Sequence, residues 1–168
     1  MPAREVLRFP HPALKRVCRA VPEEELAQAA RLADDLLDTM RAFPGCVGIA
    51  ASQLGELLRV VVVDLSEHPK ATVNHGLQKL VNPVVTRAEG SDVGREGCLS
   101  IPDYTANVRR ATSITLEALS PAGERVRIET EGFEARCLLH ELDHLDGLLF
   151  LDRVDSLKSD VFRRKKRS

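Results

Sequence analysis

The chain has 168 residues, 43 % hydrophobic and 29 % charged, with 25 acidic and 24 basic side chains and a formal net charge of -1. That length suits one domain over residues 1–168, which can bury a core without disulfide staples. The near-even charge offers no basic surplus for specific DNA binding, and the clearest apolar run, Leu57 to Leu65, is too short to cross a bilayer.

The opening residues carry charges throughout and hold no apolar run of signal-peptide length, so a cytoplasmic location is expected. The four cysteines, Cys18, Cys46, Cys98 and Cys137, are then expected to be reduced thiols or metal ligands. Pro22 and its following acids open a segment with apolar residues at Leu26, Ala29, Leu32, Leu36 and Met40, which predicts an amphipathic helix with acids near its positive end. The small, Gly-rich 45–55 segment reads as a loop or as a strand closely approached by another group. Residues 57–65 predict a buried strand, 68–78 a polar connection, and 79–85 a short strand interrupted by Pro83. Residues 89–104, with three glycines, read as loop. Two alternating segments flank "SPAG" (residues 120–123) and predict a β-hairpin. Phe133, Cys137, Leu138 and Leu142 mark a second helix ended by Gly147, and residues 156–168 a short helix with a basic tail. Strands clustered between two helices give an α+β fold.

Within that second helix, His140, Glu141 and His144 form an HExxH pattern. Two histidines four apart on a helix can bind one metal ion, with the glutamate beside its water. A catalytic site usually has three protein ligands. One protease-like pattern, HExxHxxGxxH, would place the third at position 150, where Phe150 stands, and no glutamate follows Glu141. Upstream stand His11, His68, His75 and Cys98. A lone cysteine is more often a small core residue. Cys98, however, lies in the Gly-containing "REGCLSIP", where a thiolate could be held rigidly and still face a cavity.

"EGCLS" (Glu96 to Ser100), "HELDH" (His140 to His144) and "CVGIAASQ" (Cys46 to Gln53) together resemble the peptide deformylase family. The segments "VLRFPHPALKRVCRAV" and "GLLFLDRV" are similar to it too, so the resemblance covers nearly the whole chain. It implies antiparallel strands packed around a central helix carrying HExxH. It implies removal of the N-formyl group from the N-terminal methionine of newly made polypeptides. Cys98, His140 and His144 would hold the metal, whose bound water is acidified to about pKa 7 and attacks the formyl carbonyl as hydroxide. Glu141 would be the general base, while the Gln53 side-chain amide and the Leu99 backbone N–H would stabilise the developing oxyanion. Gly48 would admit the substrate backbone or the metal's water, and Val47, Ile49, Phe133 and Cys137 would line a methionine pocket. Glu96 and Asp143 would orient ligands, with Arg110 as a charge partner. Ferrous iron is the ion implied in the cell, although one thiolate and two imidazoles also suit zinc, nickel or cobalt.

Three positions depart from the family pattern. Cys46 replaces the first glycine of its motif, Leu139 replaces a glutamine before HExxH, and "DYTANVRR" with Tyr104 and Thr105 follows "EGCLSIP" where an arginine or aromatic residue is common. None removes a ligand, the base or the amide donor. The basic run Arg163 to Arg167 is expected to be a solvated tail, with transient contact to ribosomal RNA as its functional option.

Overall fold

A computed structural model describes residues 3–164. In chain order it contains helix α1 (Leu26–Arg41), strands β1 (Gly48–Ala50), β2 (Val60–Asp64), β3 (Leu77–Glu89), β4 (Asp92–Cys98), β5 (Ile101–Arg110), β6 (Ser113–Leu119) and β7 (Arg125–Glu131), helix α2 (Gly132–Leu145) and strand β8 (Val161–Arg163). One sheet has the order β1-β2-β3-β6-β7 and the other β4-β5-β8. Every pairing between these strands is antiparallel. Helices and antiparallel sheets thus give the expected α+β class. No helix among the described residues is long and apolar enough to cross a membrane.

The valine run of β2 explains how the layers assemble. Val61 and Val63 pack with Ala135, Leu138, Leu142 and Leu145 of α2, whereas Val60 and Val62 pack with Ala29, Leu32, Ala33, Leu36 and Met40 of α1. Successive side chains of a strand point to opposite faces. The five-stranded sheet is therefore covered by α2 on one side and α1 on the other, and a strand buried on both faces has no polar alternation. Each fully buried valine contributes on the order of 1.5–3 kcal/mol. A third cluster, with Leu14, Ile101, Val108, Leu149 and Phe150, joins the smaller sheet to segments from both ends of the chain.

Two expectations fail, and one strand is longer than expected. β3 extends beyond residues 79–85, and its pairing is interrupted around Pro83: the register shifts between Val81 and Val84, and Asn82 adopts φ 53°. A bulge tolerates the missing N–H of proline, and the Asn82 side chain ties it to the backbone of Val21 at 2.8 and 2.9 Å. Residues 89–104 are mostly strand, because β4 finds a partner in β5, with Glu96 opposite Ala106. The C-terminal segment forms β8 rather than a helix, since the free edge of β5 offers backbone groups that Phe162 and its neighbours complete opposite Thr105.

Candidate metal centre

Helix α2 and the end of β4 meet at the centre. His140 and His144, four residues apart, project from one face of α2, and β4 ends on Cys98. The Cys98 thiol and one nitrogen of each imidazole lie within 4.8 Å of one another. Cys98 Sγ is 3.4 Å from His144 Nε2. His140 turns Nδ1 to Glu96 Oε1 at 2.8 Å, which leaves Nε2 for the centre. His144 Nδ1 is buried without a protein partner. One soft thiolate and two imidazoles, one of them fixed through its far nitrogen by a carboxylate, fit a divalent transition metal.

Behind the ligands lies a buried ionic network. Arg110 grips Glu96 through two bonds of 2.9 Å and also reaches Asp143. Arg136 adds a 2.9 Å bond to Glu96, and Arg153 binds Asp143 at 3.0 and 3.1 Å. Burial alone would raise the Glu96 pKa, but His140 and Arg110 hold it well below the usual carboxylate range. Burial likewise opposes the charge of Arg110, and Glu96 outweighs it, so its pKa rises. Asp143 is buried, not the exposed helix acid its position allows. His140 is pulled down by burial but raised further by Cys98 and Glu96, while burial and the nearby His140 depress His144. A divalent ion would take the place of the His140 proton.

Glu141 stays off the ligand set. Its carboxylate lies beside Gly48, where a β-carbon would come within 2.6 Å of Oε2, and its Oε1 is buried without a partner. Burial, reinforced by the charge of Glu96, pushes its pKa up to about 7, the range suited to a base working near neutral pH. Gln53 sits in the 3₁₀ turn Ala51–Leu54 directly after β1. Its Oε1 accepts from the backbone N–H of Ala50 at 3.0 Å, which aims Nε2 at Ser100 Oγ at 3.0 Å and at Cys98 Sγ at 3.6 Å.

Gln53, Glu96, Cys98, His140 and Glu141 line a cavity of about 410 Å³. Val47, Gly48, Leu99, Phe133 and Cys137 are on its wall, and so is Cys46. Ile49 is not. It is fully buried in the α1 cluster, because strand alternation sends it to the opposite face of β1 from Gly48. Burial raises the Cys46 thiol pKa to about 12, and its Sγ donates to the Gly48 carbonyl at 3.3 Å. Leu139 packs beside the α2 core cluster.

The remaining histidines do not join the donor set. His11 accepts from Ala13 N at the start of a 3₁₀ turn, His75 is bonded to Glu134, and His68 stacks on Phe133 with centroids 4.4 Å apart, extending the cavity wall. Sequence reasoning missed Ser100, Arg136, Arg8 and Arg164. Arg136 stands one turn before His140 on α2, a spacing that offered a signal; Arg8 and Arg164 offered none. Of the basic run, Arg163 belongs to β8 and Arg164 lines the cavity, both of them exposed, while residues 165–168 lie outside the described part of the chain.

The family model described as polypeptide deformylase matches residues 3–160. The chain is 42 % identical over 166 residues to a peptide deformylase of Mesorhizobium japonicum, covering 98 % of this chain and 92 % of that protein. It is 40 % identical to peptide deformylase 2 of Vibrio cholerae, with 98 % and 94 % covered. Among solved structures it resembles the class I type b peptide deformylase of Acinetobacter baumannii bound to Met-Ala-Ser, with TM-score 0.84 and 33 % identity over 91 % of this chain and all of that one. A peptide deformylase from Legionella pneumophila gives TM-score 0.81 and 36 % identity, with 93 % and 88 % covered. The chain belongs to the polypeptide deformylase family.

Proposed function

We propose that this chain removes the formyl group from the N-terminal methionine of newly made polypeptides, acting in the cytoplasm as one catalytic domain over residues 1–168, with α2 as its central element. The observation that carries the reading is the junction of two features: a Cys98, His140 and His144 donor set, two of whose members line the cavity, and on the same cavity wall a buried carboxylate, Glu141, that lies outside this set and whose Oε1 has no hydrogen-bond partner among the described residues.

Cys98, His140 and His144 hold the metal, with ferrous iron as the working ion in the cell. When bound, the metal supplies Lewis acidity and lowers the pKa of a coordinated water. Glu96 fixes the His140 ring and keeps its Nδ1 occupied. Glu141 accepts a proton from the attacking water and delivers it to the departing amine nitrogen as the formyl C–N bond breaks, releasing formate and a free methionine terminus. The Gln53 amide and the Leu99 backbone N–H donate to the carbonyl oxygen as it gains charge, each such donor being worth on the order of 3 kcal/mol. Val47, Phe133 and Cys137 receive the methionine side chain, and Gly48 leaves room for the substrate beside Glu141.

The test is turnover of formyl-Met-Ala-Ser by protein loaded with ferrous iron under reducing, oxygen-free conditions. Formate release at rates typical of enzymes, at least about 1 per second, is expected. A fully loaded protein that releases no formate would overturn the reading.

A further inference from the structure

Three arginines from three distant parts of the sequence converge on the cavity that holds Cys98: Arg8, Arg95 and Arg164. Each is placed by the fold. Arg8 lies on a strap whose neighbours donate backbone bonds of 2.8 Å, Leu7 to Gln53 and Phe9 to Ser100. Arg95, on β4, donates to Asn107 and Thr105 at 3.2 Å, and its guanidinium lies 3.9 Å from the centre of the Phe162 ring. Arg164 follows β8 and is pinned by a 2.7 Å bond from its N–H to the Asp103 carbonyl. Its guanidinium lies over Gly97, where a β-carbon would come within 2.2 Å of Nη2. Gly97 directly precedes Cys98, so Arg164 lies beside the reaction centre.

None of the three has a carboxylate partner among the described residues, although all three are exposed. Elsewhere Arg4, Arg19, Arg41, Arg59, Arg87 and Arg127 each contact an acid; the other exposed arginines without one among the described residues, Arg16, Arg31, Arg125 and Arg163, do not line this cavity. The acids on the cavity wall do not compensate. Glu96 is taken by Arg110, Arg136 and His140, and Glu141 lies deep, beside Gly48. The cavity mouth is thus a local excess of oriented guanidinium groups in a chain whose formal net charge is -1. Guanidinium is the side-chain group best matched to carboxylates.

Resting on the deformylase reading, we propose that this mouth is a carboxylate subsite, giving the enzyme a preference for formyl-methionyl peptides with Asp or Glu at the second and third positions. A peptide ligand is favoured over ribosomal RNA because the arginines line the concave wall that leads to Cys98, where the emerging substrate passes, rather than a convex face. The same chemistry would accept the free C-terminal carboxylate of a short peptide.

The experiment compares, on the metal-loaded holoenzyme, formyl-Met-Ala-Ser amide, formyl-Met-Glu-Asp amide, formyl-Met-Lys-Lys amide and formyl-Met-Ala-Ser with a free C-terminus. Expected is a kcat/KM for the acidic amide roughly three- to tenfold above the neutral amide at low salt, carried mainly by KM. The advantage shrinks as salt shortens the screening length. In the double variant Arg95→Glu, Arg164→Glu the order reverses in favour of the lysine peptide, and Arg164→Lys retains most of the acidic preference. Equal kcat/KM for acidic and neutral amides in the unmodified enzyme would overturn the proposal. So would a gain confined to the free C-terminus, or variants that weaken ribosome binding while leaving the peptide order intact. Calorimetric affinities of the products Met-Glu-Asp amide and Met-Ala-Ser amide judge the subsite independently. Absence of turnover on every formyl peptide, with tighter binding of the acidic product retained, would defeat the deformylase reading but not the subsite.

Discussion

Gly48 and Glu141 compete for one volume: a β-carbon on Gly48 would stand 2.6 Å from Oε2 of Glu141, closer than non-bonded atoms tolerate. The absence of a side chain at residue 48 is therefore part of how the carboxylate is placed. Gly48→Ala is expected to retain the metal and lose about tenfold or more in kcat, because a displacement of about 1 Å at a catalytic group is that costly. Metal content and steady-state rates, measured on the same preparation, check this. An alanine variant with unchanged kcat would show that the carboxylate has another productive position.

Glu141→Gln preserves shape and removes proton acceptance. The variant should bind metal as the parent does, since Glu141 lies outside the donor set, and should lose about 10²- to 10⁴-fold in kcat. Near-normal turnover would remove Glu141 from the role of base.

Glu96→Gln takes the carboxylate from His140, Arg110 and Arg136 at once. Leaving buried guanidinium groups without their anion should cost about 3–5 kcal/mol, and loosening His140 should weaken metal binding about 10- to 100-fold. Urea unfolding and competition with a metal chelator give the two numbers separately. A change in affinity with no change in stability would mean that the arginines find other partners.

Asp152 supplies a pH-dependent increment of stability away from the metal. Burial opposes its charge, but the Leu149 N–H at 2.8 Å and Lys15 outweigh it and hold its pKa below the usual value. A carboxyl with a depressed folded-state pKa stabilises fully above its unfolded pKa, about 3.9, and loses that contribution as pH falls through the folded value. Asp152→Asn should therefore cost up to about 1 kcal/mol at neutral pH, given its partial exposure. The difference from the parent should vanish in acid. A cost independent of pH would assign the effect to packing.

Stripping the protein and reloading single ions without oxygen should give a fast iron form that is lost in air, durable nickel and cobalt forms, and a slow zinc form. As a ligand, Cys98 would present a thiolate sulfur open to oxidation, and affinity alone favours zinc over ferrous iron whatever the working ion. The check is formate release from one peptide before and after aeration. An iron form indifferent to air would refute the role given to iron and to the thiolate.

The sequence by itself determined the two helices, the β2 strand, the β6–β7 hairpin and the three motifs that carry Cys98, Gln53, His140, Glu141 and His144. These are local matters: helical spacing puts two histidines on one face, and a run of valines records burial on both sides of a strand. What only the tertiary structure decided depends on long-range pairing. β4 looked like a glycine loop because its pairing partner, β5, is visible only once the chain folds back. Ile49 looked like a pocket residue because β1 borders α1 on one face and the cavity on the other, and only the packing says which face is which. Arg8, Arg95 and Arg164 are unremarkable charges in the sequence. They become a basic mouth because the N-terminal strap bonds to Gln53 and Ser100 and β8 completes the edge of β5, bringing both ends of the chain to the cavity that holds Cys98.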